Sequence, residues 1–273
     1  MRDCYVRPLF VVGDSHSGPL NGLLLRDPAT GEPLVFGESW CVQGLSARTA
    51  LDAAGAPHPA VIAALAGFHL LQSLPYDYAG ELPAVTLGDR QFTASWIAET
   101  TAVLFIAGEL DAREIIASIP AGAEPVLPFP ADLSRLPAGG SGPALPAPLL
   151  QARIVTTFRP LFVMLQELKR LGLARLALAN LPPPTTSDEE YFRLTGITCP
   201  ARTRYAVHLF VNEMLRIFCT QSNMLFVDTW ADVTDDNVAK PGIFVDGLHF
   251  GSEGARAVLA AFHAAARQEA RSA

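Results

Sequence analysis

Three side chains, one near the start of the sequence and two near its end, have the chemistry of a nucleophilic enzyme. Ser15 follows the apolar run 10–12 and a Gly-Asp pair, while Asp246 and His249 stand three positions apart far downstream. A serine hydroxyl becomes a strong nucleophile when an imidazole takes its proton, and that imidazole needs an acid to fix its tautomer. These residue types predict a Ser-His-Asp system. The alternatives are a Ser15 that caps a helix and an Asp246/His249 pair that caps a polar loop.

The elements that must position these side chains are indicated by short apolar runs that alternate with longer helical patterns. A run that is apolar at successive positions, which point to opposite faces of a strand, is typical of a parallel strand buried on both faces. Ser15 would then lie at the carboxyl edge of a sheet, where open α/β folds bind their ligands. The predicted strands are 9–13, 34–39, 103–107, 175–179 and 224–227.

Helical periodicity predicts three long helices in the second half of the chain. An apolar stripe over 154–168 closes at Gly172 and contains Pro160, so this helix either starts near the proline or kinks there. A second helix is predicted over 205–219, and Ser252 is placed to cap a third that runs to about residue 268.

Two stretches between these elements are predicted to be irregular. Residues 120–148 are rich in Pro, Gly and Ala and have few charges, which is typical of a long surface excursion such as a lid or a partner-binding loop. Residues 181–200 begin with three prolines close behind a strand. The simplest organisation is one domain over 1–273 with an irregular insertion at about 120–148.

Composition restricts the class of protein. Half of the 273 residues are apolar, the formal net charge is −7 and the pI is near 5.3, which argues against nucleic-acid and membrane partners. No stretch has the roughly 18 apolar residues of a membrane span, and the first residues lack the layout of a secretory signal, so we expect a cytoplasmic protein. Because nucleotide, nicotinamide and zinc motifs are missing, no cofactor and no metal are expected. Cys4, Cys41, Cys199 and Cys219 lack metal spacing, and we expect buried free thiols.

Four short blocks of the sequence resemble those of the SGNH (GDSL-like) hydrolase family, in its GDSH-type branch. They are Gly13-Asp14-Ser15-His16, the loop around Gly44, Gly108-Glu109-Leu110-Asp111, and Asp246-Gly247-Leu248-His249. The resemblance implies a three-layer α/β/α sandwich with a five-stranded, mainly parallel, flavodoxin-like sheet. It also implies an esterase-type enzyme in which Ser15 is the nucleophile, His249 the base and Asp246 its orienting acid.

The resemblance further implies an oxyanion hole, with one departure from the family. The backbone N–H groups of Ser15 and Gly44 supply two donors, but the family's third donor is an asparagine and this chain has Leu110 there. Loss of one such donor typically lowers the rate about a hundred- to a thousandfold. Arg113 is the candidate replacement, because a guanidinium can stabilise an oxyanion directly.

Further residues of these blocks are candidates for substrate binding. Gly108, Glu109 and Asp111 are candidates in the third block, although an ion pair of either acid with Arg113 or Arg48 is the favoured alternative. His16 and Asn180 are two more candidates: His16 is more simply interpreted as facing solvent, and Asn180 lies at the predicted rim of the cleft.

The sequence therefore predicts hydrolysis of a small acyl ester or an acylated carbohydrate through an acyl-serine intermediate. Two alternatives stay open. The chain could be a catalytically weak binding or assembly module that keeps the fold, or an acyltransferase that uses the same three residues. The oligomeric state is not predicted.

Overall fold

The structure is a computed structural model that describes residues 8–75, 80–99, 101–139 and 142–272. Of the residues singled out in the sequence, Cys4 lies outside these ranges. The strands are β1 Pro8–Gly13, β2 Leu24–Arg26, β3 Pro33–Cys41, β4 Leu71–Leu74, β5 Val85–Leu87, β6 Arg90–Ala94, β7 Ala102–Ile106, β8 Glu124–Pro125, β9 Ala144–Leu145, β10 Arg175–Ala179, β11 Leu225–Val227, β12 Thr234–Asp235 and β13 Val238–Ala239. The α-helices are α1 Pro59–Gly67, α2 Glu109–Ala117, α3 Ala147–Arg170, α4 Asp188–Thr195, α5 Ala201–Gln221, α6 Trp230–Val233 and α7 Ser252–Ser272, and 3-10 helices cover Ser15–Leu20 and Trp96–Glu99.

The central sheet has the order β11-β10-β7-β1-β3-β2. The first five strands in this order are parallel, and all five predicted strands are among them. The sheet has a sixth strand that the sequence did not indicate, because β2 is only three residues long and pairs antiparallel with β3 at the edge. The mainly parallel α/β fold predicted from the sequence is confirmed.

The strand order reverses at β1. The chain passes from β1 to β3 on one side and then returns to β7 on the other side of β1. Where the order reverses, the connections after neighbouring strands leave in opposite directions and open a crevice at the carboxyl edge of the sheet. The segments that follow β1, β3 and β7 carry Ser15, Gly44 and Glu109, so the topology brings three of the four blocks to this crevice.

Two apolar layers cover the sheet. Alternate residues of a strand point to opposite faces, and in β1 the side chains of Leu9 and Val11 join a buried cluster with α7, whereas Phe10 and Val12 join a cluster with α1, α2, α3 and α5. All four side chains are at most 8% exposed. This alternation is the reason why the strand sequence is apolar throughout.

Helix α3 starts well before Pro160 and continues through it. A proline inside a helix costs one hydrogen bond and a steric clash, about 3 kcal/mol. The apolar stripe lies on both sides of the proline, with Ile154, Phe158, Leu161 and Leu165 fully buried. Burial of several such side chains, at about 1.5–3 kcal/mol each, outweighs the cost. Of the two alternatives predicted, a start near the proline is therefore wrong.

The stretch 181–200 is less irregular than predicted, because it contains α4. Ser187 caps this helix by accepting a hydrogen bond from the Glu190 N–H at 3.1 Å, and Gly196 ends it. The spacing Ser-x-x-Glu is a helix-start signal that the sequence carries. Residues 120–139 and 142–146, by contrast, form only the short β8–β9 pair, in keeping with the predicted excursion.

A second, antiparallel sheet has the order β4-β6-β5 and was not predicted. Its strands have three to five residues, too few for the apolar alternation to stand out. Across the residues that the structure describes, no helix combines the length and the apolar character needed to cross a bilayer.

Candidate active site

Ser15 stands at the tip of a tight turn after β1. Strand β1 ends at Gly13, where a Cβ would lie 2.4 Å from the carbonyl oxygen of Ile106, so only glycine fits beside β7. Asp14 then begins the 3-10 helix: its Oδ1 accepts from the His16 N–H at 2.9 Å. The helix cap is therefore Asp14 and not Ser15. Ser15 is exposed, and its hydroxyl makes no hydrogen bond to any other described residue.

Asp246 and His249 form a hydrogen-bonded pair. Asp246 Oδ2 lies 2.7 Å from His249 Nδ1, and Oδ1 accepts from the N–H groups of Leu248 and His249 at 3.0 and 2.8 Å. Burial works to raise the pKa of Asp246, but the hydrogen bonds from His249 and Leu248 prevail and lower it to about 2. A carboxylate is a pure acceptor, so it fixes the proton of the neutral ring on Nδ1 and leaves the Nε2 lone pair free to take a proton.

The two ends of the chain meet at this pair. The His16 ring, next to Ser15 in sequence, has its centroid 5.4 Å from that of His249 and 5.7 Å from that of Phe250. No hydrogen bond joins the Ser15 hydroxyl to His249 in the described part of the chain. Catalytic hydrogen bonds are often long without a substrate and tighten when it binds. Ser15, the predicted nucleophile, and His249, the predicted base, thus lie on segments that contact each other.

His16 does not face solvent, and this expectation was wrong. Its side chain is packed against His249 and Phe250, and the residue is 1% exposed. Burial, followed by the neighbouring charges of His249 and Arg113, lowers the pKa of His16 to about 3. The ring is therefore neutral at physiological pH. Substrate contact by His16 stays a prediction.

Two predicted oxyanion donors make no hydrogen bond within the described part of the chain. Val42 N–H donates to the Gly13 carbonyl at 2.7 Å, which places the loop after β3 beside the turn after β1. Neither the Ser15 N–H nor the Gly44 N–H has a hydrogen-bond partner among the residues described. Backbone donors that are already fixed and empty can stabilise an oxyanion without reorganisation.

The third block begins α2 and supplies no asparagine. Leu110 is 36% exposed on the first turn and has no side-chain donor. Glu109 is buried and forms an ion pair with Arg113, whose Nε donates to Glu109 Oε1 at 2.6 Å and whose Nη2 contacts Oε2. This is one of the pairs that the sequence predicted. Asp111 instead binds the backbone N–H groups of Ala47 and Arg48.

The charge of Arg113 acts on Asp14 in the first block and on His208 in α5. Burial is the main cause that raises the pKa of Asp14 to about 7 and lowers that of His208 to about 4, and the charge of Arg113 acts on both groups. Glu109 occupies Nε and Nη2, and Nη1 has no hydrogen-bond partner in the described ranges. A positive charge with a spare donor thus acts on the turn that carries Ser15.

The sequence did not indicate that α4 packs against loop 246–249. A Cβ at Gly247 would lie 2.6 Å from each carboxylate oxygen of Glu190, so α4 presses directly on the loop between Asp246 and His249. Arg204, 0% exposed, holds this segment: it donates to Thr185 O and to Asp188 Oδ1, both at 2.8 Å, and also contacts the Cys199 carbonyl.

His208 and Asn180 are buried beside the segment that follows β10. His208 Nδ1 lies 2.8 Å from the Pro182 carbonyl and must donate to it, which leaves Nε2 as an acceptor. Asn180 Oδ1 accepts from the N–H and the hydroxyl of Thr229, both at 2.9 Å, and its amide donates to the Leu181 carbonyl. This is the environment of a structural residue, and substrate contact by Asn180 stays a prediction.

The described cysteines are free, and no cluster near the site has the composition of a metal centre. Cys199 and Cys219 are buried as expected, whereas Cys41, the last residue of β3, is exposed. Within the described ranges, no three His, Cys, Asp or Glu side chains are placed to hold a metal ion.

Comparisons with known proteins give only distant likenesses. No family model matches the chain, and no curated protein matches it. Similar solved structures include a GDSL-like lipase from Bacteroides thetaiotaomicron (13% identity, 96% of this chain and 86% of that chain, TM-score 0.44). Others are a variant of an acetyl-xylooligosaccharide esterase from Geobacillus (14%, 94% and 92%, 0.42) and a member of the lipolytic G-D-S-L family from Veillonella parvula (11%, 95% and 96%, 0.41). These values are too low to assign a family or a reaction.

Proposed function

We propose that the protein is a serine hydrolase of the SGNH type, which cleaves acyl esters through an acyl-Ser15 intermediate. The observation that carries this proposal is the 2.7 Å contact between Asp246 and His249, on a loop whose histidine ring lies against the residue next to Ser15. An ionised acid, an imidazole with a free Nε2 and an exposed, unbonded serine hydroxyl are the parts that this chemistry requires.

Each half of the reaction uses the same groups. The Ser15 Oγ attacks the ester carbonyl carbon while His249 Nε2 takes the hydroxyl proton. The oxyanion is held by the Ser15 and Gly44 N–H groups and by Arg113, whose charge is permanent. When the intermediate collapses, His249 returns the proton to the leaving alcohol. A water molecule then enters by the same steps, and Ser15 is released with the free acid.

Arg113 replaces the donor that Leu110 lacks in this proposal. The bidentate contact with Glu109 fixes the guanidinium plane, and it leaves Nη1 available. A fixed, partly buried cation is worth more to a developing negative charge than a mobile one in water, because little reorganisation is needed. The substrate class we propose is a small acyl ester, including an acylated carbohydrate.

Labelling with a fluorophosphonate probe tests the nucleophile. The wild-type protein should be labelled, Ser15→Ala should not, and His249→Ala should react at least a hundredfold more slowly. Ser17→Ala is the matched control, since Ser17 is two residues away but buried, with its hydroxyl donating to the Asp14 carbonyl at 2.7 Å. Labelling that persists in Ser15→Ala would disprove the proposal. Added alcohols that divert the acyl group from water would identify a transferase.

A further inference from the structure

The first turn of α2 is joined to the loop after β3 through Asp111. Its Oδ2 accepts from the Ala47 N–H at 2.5 Å, and its Oδ1 accepts from the Arg48 N–H at 3.2 Å. Both N–H groups belong to the loop that carries Gly44, three and four residues further along the chain. Asp111 is 1% exposed; its bond to the Ala47 N–H is buried, and its bond to the N–H of the exposed Arg48 is partly buried.

The same loop is closed by its own hydrogen bonds. Leu45 N–H donates to the Val42 carbonyl at 3.1 Å, and Ser46 and Thr49 each donate a backbone N–H to the other's hydroxyl, at 2.9 and 3.2 Å. The Thr49 hydroxyl also lies 3.2 Å from the Gly44 carbonyl. The bonds of the loop thus engage the residues around Gly44, and no described residue pairs with the Gly44 N–H.

The burial of the Asp111 carboxylate without an ion-pair partner among the described residues calls for a structural explanation. Burial raises the pKa of Asp111, opposed by the two backbone hydrogen bonds, and no described side chain forms an ion pair with it. Buried carboxylates without a cation are costly to fold. The main partners of Asp111 are two peptide groups of one loop, so its contribution is to hold that loop in place.

We propose that Asp111 is a positioning residue, which fixes loop 42–49 so that the Gly44 N–H points at the oxyanion. This inference rests on the proposed function. The third block then acts on the oxyanion through Arg113 and, indirectly, through Asp111, even though Leu110 has no donor. Loss of an oxyanion donor costs about a hundred- to a thousandfold, and a misplacement of about 1 Å can cost a hundredfold.

Three variants separate positioning from general stability. Asp111→Ala removes both acceptors, whereas Asp111→Asn keeps one oxygen and places an NH2 group against the other N–H. Glu114→Gln is the matched control, because Glu114 lies on the same helix and contacts the same loop, through an exposed ion pair with the Arg48 side chain. With p-nitrophenyl acetate, kcat should fall about 10- to 100-fold in Asp111→Ala and less in Asp111→Asn, with KM changed less than about twofold. Glu114→Gln should match the wild type.

Amide hydrogen exchange gives a readout that does not depend on turnover. Peptides covering 45–48 should exchange at least tenfold faster in Asp111→Ala than in the wild type, and not in Glu114→Gln. Unchanged kcat in Asp111→Ala, or unchanged exchange, would overturn the inference. A wild type that neither turns over esters nor reacts with the fluorophosphonate would refute the proposed function instead, and exchange would then decide alone whether Asp111 holds the loop. If Asp111→Ala does not fold, Asp111→Asn carries the same test.

Discussion

Asp14 is expected to make the protein less stable as pH rises through the acidic range. Its carboxyl is 4% exposed, and burial, together with the nearby charge of Glu109, raises its pKa from 3.8 to about 7 against the hydrogen bond from the His16 N–H. Between these two pH values the folded protein holds a proton on Asp14 that the unfolded chain has lost. The contribution of Asp14 to the free energy of unfolding therefore decreases as pH rises from about 4 to 7.

The size of this effect follows from the two pKa values. Each pH unit between them is worth about 1.4 kcal/mol, so an ionised Asp14 costs about 4 kcal/mol above pH 7. Asp14→Asn keeps the Oδ1 that accepts from His16, and it has no charge at any pH. Relative to the wild type, we expect this variant to be nearly equal in stability at pH 4.5 and about 3–4 kcal/mol more stable at pH 8.

Urea denaturation of both proteins between pH 4.5 and 8 measures this difference. The buried histidines His16 and His208 also titrate on unfolding, but they are common to both proteins and cancel in the comparison. Asp89→Asn, an exposed position in the turn between β5 and β6, is the control for the same chemical change without burial. A stability difference between Asp14→Asn and the wild type that does not change with pH would refute the reasoning.

Two further predictions concern the third block and loop 246–249. Arg113→Ala should lower kcat for p-nitrophenyl acetate about a hundredfold with little change in KM, and Arg113→Lys, which keeps a charge beside Glu109, should lose less. Arg48→Ala is the exposed control. Full turnover by Arg113→Ala would exclude a role of Arg113 at the oxyanion. Gly247→Ala should lower the free energy of unfolding by about 1–3 kcal/mol, because the φ of Gly247 is +81° and an added Cβ would meet Glu190. Adding Glu190→Ala should recover part of the loss. Equal stability of the single and the double variant in thermal denaturation would contradict this contact.

The parts of the fold that depend on continuous apolar runs could be predicted from the sequence. Strand β1 is apolar at every position of 9–12 because both of its faces are buried, and such a run needs no partner to be recognised. Strand β2 could not be predicted in this way, because it has only three residues at the edge of the sheet and is only partly buried. Helix α4 had a signal in its Ser187 cap, but three prolines just before it favoured an irregular path.

In the candidate site, contacts within one loop could be predicted from the sequence, whereas contacts between distant segments could not. Asp246 and His249 lie within one loop, so their spacing alone predicts that they can meet. His16 could not be placed from its neighbours, because its burial comes from His249 and Phe250, more than two hundred residues away. The contact of Asp111 with the Ala47 and Arg48 backbone is equally remote in sequence and involves no side chain of the partner residues, so no pattern of residue types reveals it.

The guanidinium of Arg204 has a consequence for how molecules reach the crevice. To swing the segment 185–199 away, the protein would have to break the contacts of that cation with Thr185, Asp188 and Cys199 and with the Tyr191 ring, whose centroid lies 4.4 Å from it; all of these groups except Asp188 are buried. Uncompensated cations in such surroundings cost several kcal/mol. We therefore expect the segment 185–199 to stay fixed beside loop 246–249, so that any widening of the crevice comes from its other sides.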